Sequence, residues 1–228
     1  MPRHFPVTQE VSGFRLLPGC SASGFSVTNA TVHNCHVEPP KSLRNRSTIS
    51  DIGIYRCEHF ACSASAAIFH NVVVEDIRGG ALGRTFLWGC VYSQVRLRGW
   101  IGGLLHRWMV DPNDQRMNRE VLSDNRRLYE GIDLSLNLVE ARFTFTQDLL
   151  GVPASTVQRN PDWHYILSEV NARRLVAEPT QDRMWRGIAE DLLETSLPDV
   201  VVVLGEGAKN SVRDKRVADA LRKSDILT

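Results

Sequence analysis

No stretch of this 228-residue chain is apolar and long enough to span a bilayer, and its first residues, MPRHFPVTQE, lack the apolar centre of a secretory signal. Cysteine is scarce and odd in number, five in all, so a disulfide framework is not expected. Reduced thiols and a cytoplasmic protein are. Paired C-x-x-C knuckles are missing as well. His33, Cys35 and His36, or Cys57, His59 and Cys62, have donor chemistry without the spacing of a structural zinc site, and they read as packed small side chains, with no metal. His70 and Cys90 lack a third group to orient a nucleophile, so no catalytic residue is assigned. Net charge is almost absent too, at +1 from 27 basic and 26 acidic residues. That near-balance hides an asymmetry: residues 1–105 carry ten Lys/Arg against six Asp/Glu (+4), and residues 106–228 carry seventeen against twenty (−3).

What the chain does have is a beat of five. Cys57, Cys62, Ala67, Val72, Ile77, Leu82, Leu87 and Leu97 share one phase, and Ile54, Ala64, Phe69 and Val74 fall two residues further on. A helix repeats at 3.6 residues and a lone strand at 2.0, so neither explains it. A square coil that turns a corner every five residues does, returning about every twenty. On the outward phase, Arg56, Asp76 and Arg96 are twenty apart, as are Glu58, Arg78 and Arg98, and Asp51 recurs as Asn71. Strands stacked at roughly 4.8 Å would set opposite charges above one another. An earlier piece, Cys20, Phe25, Ala30 and Cys35, keeps the same beat until EPPKSLRNR (38–46) interrupts it as a basic corner loop.

TNATVHNCHV and SDIGIYRCEHFACSASAAIFHNVVVEDIRG carry a small residue two positions before a larger one, and in this they resemble the pentapeptide-repeat family. The resemblance covers about residues 20–99 and implies a right-handed quadrilateral β-helix. Two departures stand out. The larger inward residue is mostly Val or Ile rather than Leu or Phe, and the Asp or Asn expected between the inward pair stands just before it, at Asn29, Asn34, Asp51, Asn71 and Asp76. The expected fold class is therefore a β-solenoid over 14–104, followed by a mainly α-helical part over 105–228 with one or two short strands.

In that second part, Asp111-Pro112 signals a helix start, with Met117, Val121 and Leu128 as its apolar stripe. Asn160-Pro161 opens another, with Trp163, Ile166, Leu167 and Val170 on one face. Thr180 opens a third, with Trp185, Ile188 and Leu192 inward. Leu134 to Leu138 and Ala141 to Phe145 alternate as a strand pair or a late coil. Val200 to Leu204 reads as a buried strand, and Ser211 with Asp214 as the capping box of a last helix. The turn between them, GEGAKNS, misses both the Walker pattern and the dinucleotide fingerprint, so no cofactor is expected. LLGVPASTVQR (149–159) resembles the turn and recognition helix of helix-turn-helix regulators.

These features point to a non-catalytic interaction or scaffold protein, with a helical cap protecting the open strand edges of the coil. Arg56, Arg78, Arg96 and Arg98, joined by Arg84, form the candidate partner-binding face. A protein partner fits best, a nucleic-acid backbone is the other candidate, and no membrane is implied. The alternatives are an enzyme with a carbohydrate or nucleotide site at the seam between coil and helices, and a DNA-binding regulator acting through Leu149–Arg159.

Overall fold

The computed structural model describes residues 7–79, 84–177, 182–207 and 210–228. Short parallel strands dominate them. Thr48–Tyr55 lies beside Ile68–Gly79 with Thr48 opposite Ile68 and Ile54 opposite Val74, and Glu58 lies opposite Arg78, each a separation of twenty. Elsewhere the separation changes: Ser21 faces Thr48, 27 on; Ile68 faces Val91, 23 on; Val95 faces Leu136, 41 on. Twelve strands join into one parallel network and five into a second parallel sheet, while Gln147–Asp148, Asp199–Val203 and His164–Ser168 form an antiparallel three.

The expected quadrilateral β-solenoid with a mainly helical tail is therefore corrected to an α/β arrangement of parallel sheets with interspersed helices. Helix α1 (Gln115–Tyr129) falls between the parallel strands Leu104–Arg107 and Leu136–Asn137. Past it, Leu136–Asn137, Ala141–Phe143 and Val157–Gln158 return to the parallel network. The physical reason is hydrogen bonding: the alternating segment 134–145 needs strand partners for its backbone, and the free edge of Val95–Ile101 supplies them. Constant pitch fails because inserted residues lengthen some returns.

The beat itself has a backbone cause. Asn29, Asn34, Asp51, Arg56, Ala61, Ala66, Asn71 and Asp76 all have φ between +49° and +56°, so the chain bends at five-residue intervals. Asn and Asp tolerate this left-handed region better than other side chains, which accounts for their place just before the inward residue. The inward side chains are buried: Cys57, Ala67, Val72, Ile77 and Leu97 are all below a tenth exposed. Leu82 lies outside the described residues.

Three further expectations change. His164–Ser168 is a strand rather than the first turns of a helix, because Tyr165 and Leu167 bury fully against the valine strand Asp199–Val203; helix α2 (Glu169–Ala177) starts after it. Leu149–Arg159 holds no recognition helix. It makes a single 3₁₀ turn at Ala154–Thr156 and the strand Val157–Gln158, with Leu150, Val152 and Val157 buried. Helix α3 (Arg183–Thr195) is capped by Asp182, whose carboxylate accepts from the Met184 N–H at 2.9 Å, and it buries Trp185, Ile188 and Leu192 as the spacing predicts; Thr180 lies outside the described residues. Helix α4 (Ser211–Lys223) is present, but its cap residue is Asn210 and the capping box makes no side-chain cap bond.

Asp199–Val203 joins two cores. Val201 and Val203 pack into the cluster between the parallel sheets, while Val200, Val202 and Leu204 pack with Trp185, Leu192 and Leu221 under the helices. Strand alternation makes one five-residue run serve both. No helix among the described residues is long and apolar enough to cross a membrane.

Candidate functional site

The arginine face comes first, because charge spacing singles it out. Arg56 and Arg96 are exposed. Arg78 pairs with Glu58 at 2.5 Å, as the twenty-residue return requires. Arg98 does not stack on Arg78: the 23-residue separation brings it to Glu75 instead, with its Nε and one terminal nitrogen both 2.6 Å from the same carboxylate oxygen. Arg84 sits over the Phe145 ring at 4.9 Å. Two of the four arginines are thus neutralised by neighbours, and half-exposed pairs of this kind contribute little. Asn71 donates to Asp51 at 2.7 Å, holding the carboxyl of that exposed residue below its usual range.

The cysteines and histidines distribute between packing and surface. Cys57, Cys62 and Cys90 are buried, and burial raises all three thiols, Cys90 to about 12. His33 stacks on Phe60 with ring centres 4.9 Å apart and meets Glu10 at 2.5 Å. His70 is exposed and bonds Ser93, away from the buried Cys90. Among the described residues no group of three or more His, Cys, Asp or Glu is placed to hold a metal. The turn GEGAKNS includes Ala208 and Lys209, which lie outside the described residues.

Two features escape the sequence reading. One is a buried polar latch under α1. The basic corner loop sends Arg46 inward, not to solvent: its Nη2 donates to Asn125 at 2.7 Å, its Nη1 reaches the Ala66 and Gly89 carbonyls, and its Nε lies 3.1 Å from Asp124, out of line for a hydrogen bond. Tyr129 accepts from the Tyr92 N–H, and Asn118 caps the Val110 and Asp111 N–H groups. Asn118 and Asn125 fall on the buried stripe of α1, where an apolar template sees only solvent-facing positions.

The other feature is the interior. Between the parallel sheets runs an apolar cavity of about 320 Å³. It exists because the inward positions are filled by Ala22, Val27, Val32, Ala64, Val72 and Val74, which are too short to meet across the gap. The column Val27, Ile54, Val74, Leu97 rises one strand at a time, and Leu136 follows beside Val95. Four such steps of about 4.8 Å span about 19 Å, and these residues line the cavity along that stack.

Its polar wall groups are already engaged. His59 donates from Nε2 to the Gly102 carbonyl at 2.6 Å and faces the Thr85 hydroxyl at 2.7 Å; His106 donates to Leu150 O at 2.8 Å and faces the Tyr92 hydroxyl at 3.0 Å. Burial lowers the pKa of both imidazoles, keeping them neutral. His36 meets Ser63 at 2.9 Å. The wall therefore offers hydrocarbon contact and little else.

The two ends of this interior differ. Leu138, Phe143 and Leu149, all buried, line the end near Leu136. At the other, Val7, Phe14, Leu17 and Phe25 are 39–60 % exposed, four of the eight large apolar residues left exposed in the described chain. Phe14 and Phe25 also line the cavity. The strands there, Gln9–Ser12 and Arg15–Leu16, each pair on one side only; no strand among the described residues meets their outer edges. Exposed aromatics beside unpaired backbone donors and acceptors make this end the candidate binding surface. Comparison with family models, with curated proteins and with solved structures finds no match for this chain.

Proposed function

We propose that this protein is a non-catalytic interaction protein that takes a protein partner at the uncovered end of its parallel sheets. The observation carrying this reading is the coincidence of Val7, Phe14, Leu17 and Phe25 with the free edges of Gln9–Ser12 and Arg15–Leu16. An extended segment laid along those edges satisfies main-chain groups, while its alternate side chains cover the phenylalanines. The arginine face is the weaker surface, because Glu58 and Glu75 already answer Arg78 and Arg98.

Affinity purification with the wild-type chain, with Phe14→Ser plus Phe25→Ser, and with Arg96→Glu plus Arg98→Glu separates the two surfaces. Loss of the same named proteins in the phenylalanine variant, with recovery kept in the charge-reversed one, supports the end surface. Unchanged recovery in the phenylalanine variant rejects it, and loss confined to the charge-reversed variant moves the site to the arginine face.

A further inference from the structure

We infer that the cavity between the parallel sheets is a binding site for one unbranched hydrocarbon chain of about twelve carbons, entering past Phe14 and Phe25. Three observations on this interior carry it, and none depends on the protein partner proposed above. The first is volume: a dry cavity of about 150 Å³ accommodates the six carbons of benzene, so 320 Å³ accommodates about twice as many. The second is shape. A cavity of that volume drawn out over about 19 Å, at about 4.8 Å per strand step, has a cross-section near one carbon chain and suits neither a fused ring system nor a bulky metabolite.

The third is chemistry. The wall is mainly Val, Ile, Ala, Leu, Phe and Cys, and His59 and His106 are neutral and hydrogen-bonded to Thr85, Gly102, Tyr92 and Leu150. A charged or hydroxylated ligand would have its polar groups stripped of water with no partner, whereas methylene groups lose nothing. The end lined by the buried Leu138, Phe143 and Leu149 limits the chain length, and the open end leaves a head group in water. The chain is either a free fatty acid or an acyl group carried on a protein; both present the same methylene tail to the same wall.

The test is equilibrium dialysis of the purified full chain against a radiolabelled series from hexanoate to hexadecanoate, with an N-dodecanoylated hexapeptide beside it. One molecule per protein is expected, with affinity rising about fourfold per added methylene and levelling near twelve carbons. Dodecanol should match dodecanoate, since the head group stays outside. Binding of the free acids assigns a free chain; binding of the acylated peptide alone assigns a carried one, and either supports the site. Ala64→Leu, which shortens the space across the sheets, should weaken dodecanoate by at least about tenfold while leaving the thermal midpoint equal or higher, because it fills rather than opens a void.

Absence of saturable binding by every member of the series, peptide included, overturns the inference. So does a wild-type affinity that ignores chain length, a readout that needs no variant to fold. Recovery of protein partners is a separate measurement, so loss of that reading leaves this one standing.

Discussion

Replacing Asp124 with Ala strands a guanidinium inside the protein. The Arg46 side chain is 3 % exposed and Asp124 14 %, and no other acidic group pairs with Arg46 among the described residues. Removing one partner of a buried pair costs about 3–5 kcal/mol, because the remaining charge keeps its desolvation without its counter-charge. Here Asn125 and the carbonyls of Ala66 and Gly89 still accept from Arg46, which sets the expectation at the lower end. Asp124 also pairs with the exposed Arg127, but such a surface contact contributes about 1 kcal/mol at most. Urea unfolding should show a lower midpoint at unchanged slope. The companion Arg46→Met keeps the aliphatic stem and removes the charge. Adding Asp124→Ala to it should then cost much less than Asp124→Ala alone, a coupling of about 2 kcal/mol between neighbours that share a network. A loss below about 1 kcal/mol for Asp124→Ala, or strict additivity in the double variant, refutes the view that this latch ties α1 to the sheets.

Three further outcomes are expected. Burial, aided by Arg159, pushes His164 down to about 4, and its Nδ1 accepts from the Asn160 N–H. A lowered base binds its proton more readily when unfolded, so this contribution is complete above the ordinary value of 6.5 and fades as pH falls to about 4. It amounts to roughly 3 kcal/mol, and His164→Gln should flatten the urea midpoint against pH across that interval; an unchanged profile contradicts it. Gly103→Ala sets a Cβ 2.6 Å from the Gly79 Cα at φ +70°, so backbone must move. A thermal midpoint lowered by about 2 kcal/mol equivalent or more is expected, and an unaltered one refutes the close approach. Val202→Asp places a charge in the helical core, yet circular dichroism reporting the sheets and fluorescence of buried Trp185 should fall in one shared transition, because Asp199–Val203 belongs to both cores. Two separated transitions argue against that shared strand.

Much of the local order is legible in the residues. The inward beat from Cys57 to Leu97 predicts burial, and Cys57, Cys62, Ala67, Val72, Ile77 and Leu97 are buried, while Leu87 is partly so. Asn29, Asn34, Asp51, Asn71 and Asp76, each just before an inward residue, mark bends, since their side chains tolerate left-handed backbone. The capped helix with Trp185, Ile188 and Leu192 follows from spacing alone. His164–Ser168 does not, because Trp163, Ile166, Leu167 and Val170 also satisfy a helical template, and only the valine strand opposite makes an extended backbone cheaper. The candidate binding surface is less legible still. Charge spacing selects Arg78 and Arg98, but a three-residue change in strand separation hands Arg98 to Glu75, and such a change leaves no trace in a charge pattern.

By itself the sequence determined which side chains face inward, where the backbone bends, and that the inward side chains are small. Tertiary structure alone decided which strands neighbour one another, that Leu138, Phe143 and Leu149 are buried at one end while Phe14 and Phe25 stay exposed at the other, and that small side chains on opposing sheets leave a void between them. The reason is that facing direction is a local property of backbone geometry, whereas strand separation, closure and empty space depend on distances between residues far apart in the chain.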